Sequence, residues 1–306
     1  MNKWEKQVFK SLLDDEASVL KELERQYKAA LKEVDLNIAF LSRDLSMQSR
    51  VFQVEYQKAL RTQISGILDQ LHSNEFTSIQ NYLNECYSKG FVGTMYSIAG
   101  QGVPLIIPIN QNAVVRAVMT DSKLSGSLYS ALGKDIRELK KTVMSEITRG
   151  MATGMDWKDV GRNIGMMSDI PMKRAKTIAR TEGHRIQQEA AADARDEAKA
   201  NGCDVLKQWD STLDDKTRES HVALDGQIRE VGEPFEVNGH HAEYPGGFGV
   251  AEEDINCRCV ALTRARWGLD AAELETMKER AEFFGVDKSD RFAEYKEKYL
   301  NAAEKQ

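Results

Sequence analysis

The chain has 306 residues, of which 41% are hydrophobic and 29% charged, and its formal net charge is −6. An acidic balance disfavours a protein that coats nucleic acid over a broad surface, although a local basic patch can still bind DNA. No run comes close to the roughly 18 consecutive apolar residues of a membrane-spanning helix, and charges come too early in MNKWEKQVFKSLLDDEASVL for a signal peptide, so we expect no membrane contact and synthesis in the cytosol.

Residues 1–90 have the pattern of long amphipathic helices. Apolar residues recur at helical spacing, and charged residues occupy the other faces. No proline precedes Pro104, so nothing in this stretch forces a helix to end. We predict a helical N-terminal region over residues 1–110, which either packs as ordinary helices or also contacts a partner or a second copy. The first apolar positions are Leu12, Leu13, Leu20, Leu23, Tyr27, Leu31, Val34, Ile38 and Leu41.

The sequence GFVGTMYSIAGQGVPLIIPIN, at residues 90–110, is rich in glycine and proline. These residues usually interrupt regular structure, and the apolar LIIPI is too short for a helix of its own. This stretch therefore predicts a loop with a short extended piece, which is a candidate hinge.

Residues 111–202 are predicted to be a helical lead-in. Two helices are expected within SKLSGSLYSALGKDIRELKKTVMSEITRGMATG, and another begins at MDWKDVGRNIG with Asp156 as its N-cap. A further helix is predicted to start near Pro171 and to end before Gly202, which is the usual placement of these two residue types.

The first half of that last helix contains the most basic patch of the chain. This pattern favours a solvated helical face, with a DNA-binding surface as the alternative. Its cations are Lys173, Arg174, Lys176, Arg180 and Arg185.

In residues 203–267 the long helical pattern is replaced by short β-leaning runs, which predict a small α+β module. Short β-leaning runs VLKQW, QIREV and PFEV are separated by turn residues, and a short helix is expected in DDKTRESHVAL. Residues 268–306 read as a charged helical tail. The predicted fold class is therefore α+β and predominantly α-helical, with long N-terminal helices followed by the small module.

Cys257 and Cys259 form the strongest candidate metal site. Residues two apart in an extended segment point to the same face, so both sulfurs can reach one ion. Zinc binds four ligands, typically thiolate and imidazole. His221, His240 and His241 are candidates to complete the set, with Cys203 as an outside choice. Alternatively, the two cysteines are thiols packed in a small core.

A catalytic alternative also centres on His221. This histidine and nearby Asp210, Asp214 or Asp215 could serve a metal-assisted hydrolase or nuclease. No nucleophile is adjacent, and the motifs GxxxxGK[ST], GxGxxG, HExxH and GxSxG are missing from the sequence. We therefore predict that the chain is not an enzyme.

Several short motifs occur in an order that is more specific than any one of them. In this order, the chain resembles the phage Mu F-like head morphogenesis family of minor capsid proteins, over residues 115–265. The first hundred residues are similar only in being helical. The residues that support the resemblance are Arg180, Thr181 and Glu182, then Trp209, Arg218 and His221, then Asp225 and Gly226, and finally Asn256, Cys257, Arg258 and Cys259.

The resemblance implies a minor head protein of a tailed bacteriophage, located in the virion and assembled in the host cytoplasm. Its expected partners are the portal protein and a capsid or scaffolding protein, with weak contact to packaged DNA. It implies help in procapsid assembly and in DNA packaging or ejection. The family's motif residues include His221, Cys257 and Cys259, which leaves a structural zinc ion open as cofactor.

Some family members carry a toxin domain after the module, but only about forty residues follow it here, too few for a typical independent domain, so we predict none.

Overall fold

The computed structural model describes residues 1–42, 50–119, 125–153, 155, 157–266, 278–279, 281–287, 289 and 291–305. Long helices dominate, which confirms the predicted helical α+β class. None of the described helices combines the length and the apolar character needed to cross a membrane. The helices before the small module are α1 Lys3–Ser42, α2 Arg50–Gly100, α3 Gln111–Met119, α4 Ser125–Thr153 and α5 Trp157–Ala200.

Helix α1 begins with a reciprocal cap. The Glu5 amide donates to the Asn2 side-chain oxygen at 2.9 Å, and the Asn2 amide donates to the Glu5 carboxylate at 2.7 Å. This arrangement satisfies two amides that a helix start leaves without partners. The sequence N-x-x-E therefore fixes where the first helix begins.

The predicted loop at residues 90–110 is wrong in its first half, because α2 continues to Gly100. Two glycines in this part of α2 lie where the backbone of the helix packs closely against another segment. A Cβ on Gly90 would be 2.4 Å from the Gln187 carbonyl oxygen, and one on Gly93 would be 2.5 Å from Val8. These glycines allow close helix packing, whose energy outweighs their low helix propensity.

Helix α5 is also longer than predicted, because it passes through Pro171 without ending. Buried positions continue at helical spacing on both sides of the proline, at Ile164, Ser168, Ala175 and Ile178. Burial of this face outweighs the one hydrogen bond that the proline removes. The predicted N-cap Asp156 lies outside the described residues.

The C-terminal end of α5 agrees with the prediction. Gly202 has φ +86, in the left-handed region, and the Cys203 amide donates to the Ala198 carbonyl at 2.9 Å. A glycine in this conformation ends a helix and turns the chain away from it. The small module starts directly after this turn.

The described residues form two compact units. The first contains Met1–Glu16, Tyr82–Ser125 and Arg180–Gln306, and the second contains Ala17–Asn81 and Gly126–Ala179. The division into residues 1–110, 111–202, 203–267 and 268–306 stays a prediction. In the second unit, Tyr27 donates a buried hydrogen bond to Glu75 at 2.7 Å.

The small module belongs to the first unit and contains two antiparallel sheets. The three-stranded sheet has the order β2-β1-β5, and β3 and β4 form a hairpin. Its elements are β1 Val205–Asp210, α6 Glu219–Leu224, β2 Ile228–Glu230, β3 Phe235–Val237, β4 His240–Ala242, α7 Ala251–Asp254 and β5 Val260–Ala265, and the tail contains α8 Phe292–Ala303.

The outer edge of β5 is covered by helix side chains. The Ala261 amide donates to Gln188 at 2.9 Å, and its carbonyl accepts from Arg195 at 3.1 Å. Further along the strand, the Ala265 amide donates to Gln101 at 3.0 Å. Because edge groups without partners would be costly to bury, these bonds fix β5 against α5 and against Gln101, the residue that follows α2. They also fix the segment that precedes β5, which holds the candidate metal ligands.

Candidate metal site

His221, Cys257 and Cys259 come together in the core of the small module. Their ligand-type atoms all lie within 4.8 Å of one another, and the three residues are 1%, 2% and 2% exposed. His221 Nδ1 is 3.3 Å from Cys259 Sγ and 3.7 Å from Cys257 Sγ. Two sulfurs and an imidazole nitrogen are a donor set that zinc prefers. The residues present therefore fit a zinc ion.

The two cysteines face the same way because the turn before β5 is fixed on both sides. Asn256 has φ +56, in the left-handed region, and its amide donates to Thr181 Oγ1 on α5 at 3.2 Å. The Cys257 amide donates to the Asp254 carbonyl at 3.1 Å. Between the buried cysteines, Arg258 is partly exposed, so the expected alternation of faces is present.

His221 lies on α6, which two contacts position from opposite ends. Its carbonyl accepts a hydrogen bond from Ser211 Oγ at 2.7 Å. One turn earlier, Arg218 donates to the Ile255 carbonyl at 2.6 Å, which links α6 to the turn of the two cysteines. Arg218 and His221 are three residues apart and therefore share one face of the chain. On that face, Arg218 contacts the turn and His221 contacts the sulfurs of the two cysteines.

The other ring nitrogen of His221 faces a carboxylate. Nε2 lies 3.1 Å from Glu253 Oε2, an ion-pair distance without the alignment of a hydrogen bond. Glu253 itself accepts from Ser220 at 2.8 Å and from Asn238 at 3.0 Å. Burial raises the pKa of the Glu253 carboxyl, but these hydrogen bonds outweigh it, so the pKa is lowered.

Aromatic rings enclose the cluster. Trp209 meets the His221 ring edge to face at 5.6 Å between centroids, and Phe248 lies 6.1 Å from the same ring. Phe235 packs against Trp209 at 5.0 Å, and the Trp209 N–H donates to Ser211. An apolar surrounding of this kind excludes water and strengthens electrostatic contacts inside it.

The two thiols influence each other's protonation. A hydrogen bond from Cys257, with further contacts to His221 and Ser211, lowers the pKa of Cys259. The same contact between the sulfurs, together with burial, raises the pKa of Cys257. The lowered pKa favours the thiolate form of Cys259, and the thiolate is the form that binds a metal.

The other predicted ligands lie elsewhere in the module. His240 faces Glu252 at 3.6 Å, and His241 faces Glu236 at 3.8 Å. Both lie on β4 and outside the cluster. Cys203 is buried before β1, also outside it.

None of the three carboxylates predicted for a hydrolase lies beside His221; Glu253 occupies that position. Asp214 instead pairs with Arg258 through two contacts of 2.6 Å, and Asp215 is exposed in the same loop. Asp210 is the strand partner of Val260. Glu253 was missed by the sequence analysis, and the signal that could have identified it is its place four residues before Cys257.

The basic patch of α5 needs a correction. Arg185 is only 5% exposed and pairs with Glu182 and Glu189, so it cannot reach DNA. Three other cations each pair with one carboxylate, which offsets their charge. These pairs are Arg174 with Asp135 at 2.9 Å, Lys176 with Glu24 at 2.8 Å and Arg180 with Glu16 at 2.7 Å.

Residues 141–262 match the family described as Phage Mu protein F like protein. The chain is 31% identical over 271 residues to "NAD(+)--arginine ADP-ribosyltransferase EFV" of Enterococcus faecalis, covering 86% of this chain but 54% of that protein. It is 27% identical over 251 residues to "Minor head protein GP7" of Bacillus phage SPP1, covering 79% of this chain and 80% of that protein. No solved structure matches the chain.

These comparisons support a role in head morphogenesis, and they correct one prediction. The expectation that the chain is not an enzyme is overturned by its similarity to a transferase over 86% of its length. The chain spans about half of that relative, so the relative's whole activity does not follow directly.

Proposed function

We propose that this chain is a minor head protein that works beside the portal in head morphogenesis, because residues 141–262 match the Phage Mu protein F like family and the chain is similar to a minor head protein. The family match and the minor head protein relative support the role in the head. Contact with the portal is the more specific part of the proposal. A virion location and assembly in the host cytoplasm follow from the same role.

The observation that best supports a structural role is the convergence of the family motifs on one turn. Thr181 accepts the amide of Asn256, and Arg218 donates to the carbonyl of Ile255. Asp225 accepts the amide of Ser211 at 2.8 Å, while Ser211 holds the backbone of His221. The motif residues therefore build a single rigid module that could dock onto a partner.

A zinc ion held by His221, Cys257 and Cys259 would cross-link this module. The strands are short and the core is small, so a metal that joins α6 to the turn before β5 would add to the stability that packing provides. In this role, zinc supplies a structural cross-link. The residues around it hold the ligands and exclude water.

The long helices are the proposed contact surfaces for the portal and for a capsid or scaffolding protein. Helices α1, α2 and α5 have 40, 51 and 44 residues. At a rise of about 1.5 Å per residue, each could extend well beyond the module and contact a second protein. Assistance in DNA packaging or ejection is proposed as a consequence of this position.

Quantitative mass spectrometry of purified particles tests the proposal. We expect a few copies of the chain per head, in both empty procapsids and DNA-filled virions. A difference in copy number between the two would support a role in packaging or ejection. Absence from both particles, with the chain present in the extract of infected cells, would reject the structural role.

We also propose that α5 contacts packaged DNA weakly. Only its exposed cations can take part in this contact. Lys173 and Arg174 are exposed, and Arg174 already pairs with Asp135. Binding through a few phosphate contacts has to weaken steeply with salt. Binding of duplex DNA that does not respond to salt would therefore exclude this patch.

A second proposal is transfer of the ADP-ribose group of NAD⁺ to an arginine side chain, with release of nicotinamide, and it is supported by the 31% identity to a transferase. The assay is incubation of the purified chain with labelled NAD⁺ and an arginine-containing acceptor. Label on the acceptor would support the activity. If no label is transferred, the region of 271 residues aligned with the transferase is not sufficient for this activity.

A further inference from the structure

We propose that Glu253 is a positioning residue of the metal site, whose buried carboxylate holds His221 with Nδ1 directed at the two sulfurs. The inference rests on the proposed zinc site and adds a residue to it. Glu253 does not touch the ion in this arrangement. It acts through the imidazole ring that lies between them.

The ring geometry identifies the nitrogen that would bind the metal. Both sulfurs approach Nδ1, at 3.3 and 3.7 Å, whereas Nε2 points to the opposite side of the ring. A nitrogen that binds a metal carries no proton, so the single proton of the neutral ring lies on Nε2. Nε2 lies 3.1 Å from Glu253 Oε2, an ion-pair distance that a small rotation of the ring would turn into a hydrogen bond. A carboxylate behind a histidine ligand fixes the ring orientation and increases the basicity of the ligand.

The carboxylate is itself held in place. Ser220 donates to Oε2, the oxygen that faces His221, and Asn238 donates to Oε1. Asn238 adopts φ +52, so the tip of the β3–β4 hairpin is shaped to bring its amide to Glu253. Because Glu253 is 3% exposed, its charge would be costly without these partners. Two separate elements therefore converge on a side chain that has no contact with the sulfurs.

The neighbouring residue provides a matched control. Glu252 lies on the same short helix, its side chain is 75% exposed, and it faces His240 at 3.6 Å. Glu252→Gln removes the same charge from the next position. It leaves the contacts of His221 unchanged.

The test is a measurement of metal affinity on the full chain. Zn²⁺ is titrated against a chromophoric chelator for the wild type, Glu253→Gln and Glu252→Gln. We expect Glu253→Gln to bind Zn²⁺ about 10- to 100-fold more weakly, the usual effect of losing such a partner. Glu252→Gln should bind as the wild type does. With Co²⁺ as the probe, the thiolate-to-metal absorption should persist in Glu253→Gln, because both sulfurs remain.

The outcomes separate this inference from the zinc site itself. Wild-type affinity in Glu253→Gln would overturn the positioning role and leave the zinc site standing. A wild-type chain that binds neither Zn²⁺ nor Co²⁺ would reject the site. If Glu253→Gln does not fold, Ser220→Ala and Asn238→Ala replace it, since each keeps the carboxylate and removes one bond that fixes it. A smaller loss of Zn²⁺ affinity in both supports the inference, and wild-type affinity in both overturns it.

Discussion

At the scale of single residues, the cluster of His221, Cys257 and Cys259 combines deep burial with groups that normally need partners. Three buried ligand-type side chains beside one another are costly without a shared partner or a proton that links them. A zinc ion would satisfy all three at once. The stability of the chain should therefore depend on zinc.

The first prediction is that zinc stabilises the wild type and not Cys257→Ser. A ligand that binds only the folded state, at a free concentration of about 1,000 times its Kd, adds about 4 kcal/mol. Serine cannot replace the thiolate, so Cys257→Ser should lose this gain. Thermal unfolding with zinc and with a chelator measures the difference.

The matched control for this prediction is Cys203→Ser. Cys203 is also buried but lies outside the cluster. We expect Cys203→Ser to lower stability through packing, yet its response to zinc should equal that of the wild type. A full zinc response in Cys257→Ser would contradict the proposed ligand set.

Lys207 supports a second prediction, on pH. This lysine is buried on β1, donates to the Glu243 carbonyl at 2.9 Å and lies 5.3 Å from the Phe235 ring centroid. Burial, with nearby Arg195, lowers the pKa of Lys207 from 10.5 to about 8. As pH rises, the folded state loses this proton before the unfolded state does. The free energy of unfolding should therefore increase between about pH 8 and 10.5, by roughly 3 kcal/mol.

The measurement is denaturant unfolding of the wild type and Lys207→Met from pH 7 to pH 10.5. Other groups titrate in the same range, so the informative quantity is the difference between the two proteins. The wild type should gain stability relative to the variant as pH rises. A difference that stays constant with pH would show that the Lys207 pKa is not lowered by folding.

The candidate site shows which residues a sequence can and cannot reveal. Cys257 and Cys259 share a face by local spacing, and His221 follows from motif order, so local rules suffice for these three. Glu253 escapes such rules, because its relation to His221 arises only when α7 packs against α6. His240 and His241 had the right chemistry, but their hairpin directs them elsewhere, and this too depends on tertiary structure.

At the scale of elements, close packing decides where the helices continue. Local sequence patterns predict the type of each helix and its approximate extent, but they predict a break within α2 and another near Pro171. Local propensity disfavours helix at both places. The missing information is the identity of the opposing surface, since Gly90 is needed only because α5 lies against it. In the same way, α5 continues through Pro171 only because the residues on both sides of the proline are buried by another part of the fold.

The third prediction concerns these glycines. Gly90→Ala should lower the free energy of unfolding by about 1–3 kcal/mol, because its Cβ would lie 2.4 Å from a backbone oxygen of α5. Gly66→Ala, in the same helix, meets nothing within 4 Å and should raise stability by about 1 kcal/mol. Denaturant unfolding of both variants gives the two signs. Equal effects would show that helix propensity, rather than packing, sets the role of Gly90.

At the scale of the whole molecule, the family motifs draw distant parts of the chain into one unit. Thr181 on α5, Arg218 before α6 and the turn before β5 are far apart in sequence and adjacent in the structure. A change at the metal ligands should therefore affect all of these segments together.

The last prediction follows from this arrangement and concerns assembled particles. If the small module docks onto other head components, Cys259→Ser should lower the amount of this chain in procapsids several-fold, because the docking surface loses its cross-link. Cys203→Ser should be incorporated as the wild type is. The ratio of this chain to the major capsid protein, measured by mass spectrometry, gives the result, and expression in the cell extract must be equal for the comparison. Normal incorporation of Cys259→Ser would place the docking surface on the long helices and limit the module to the stability of its own fold.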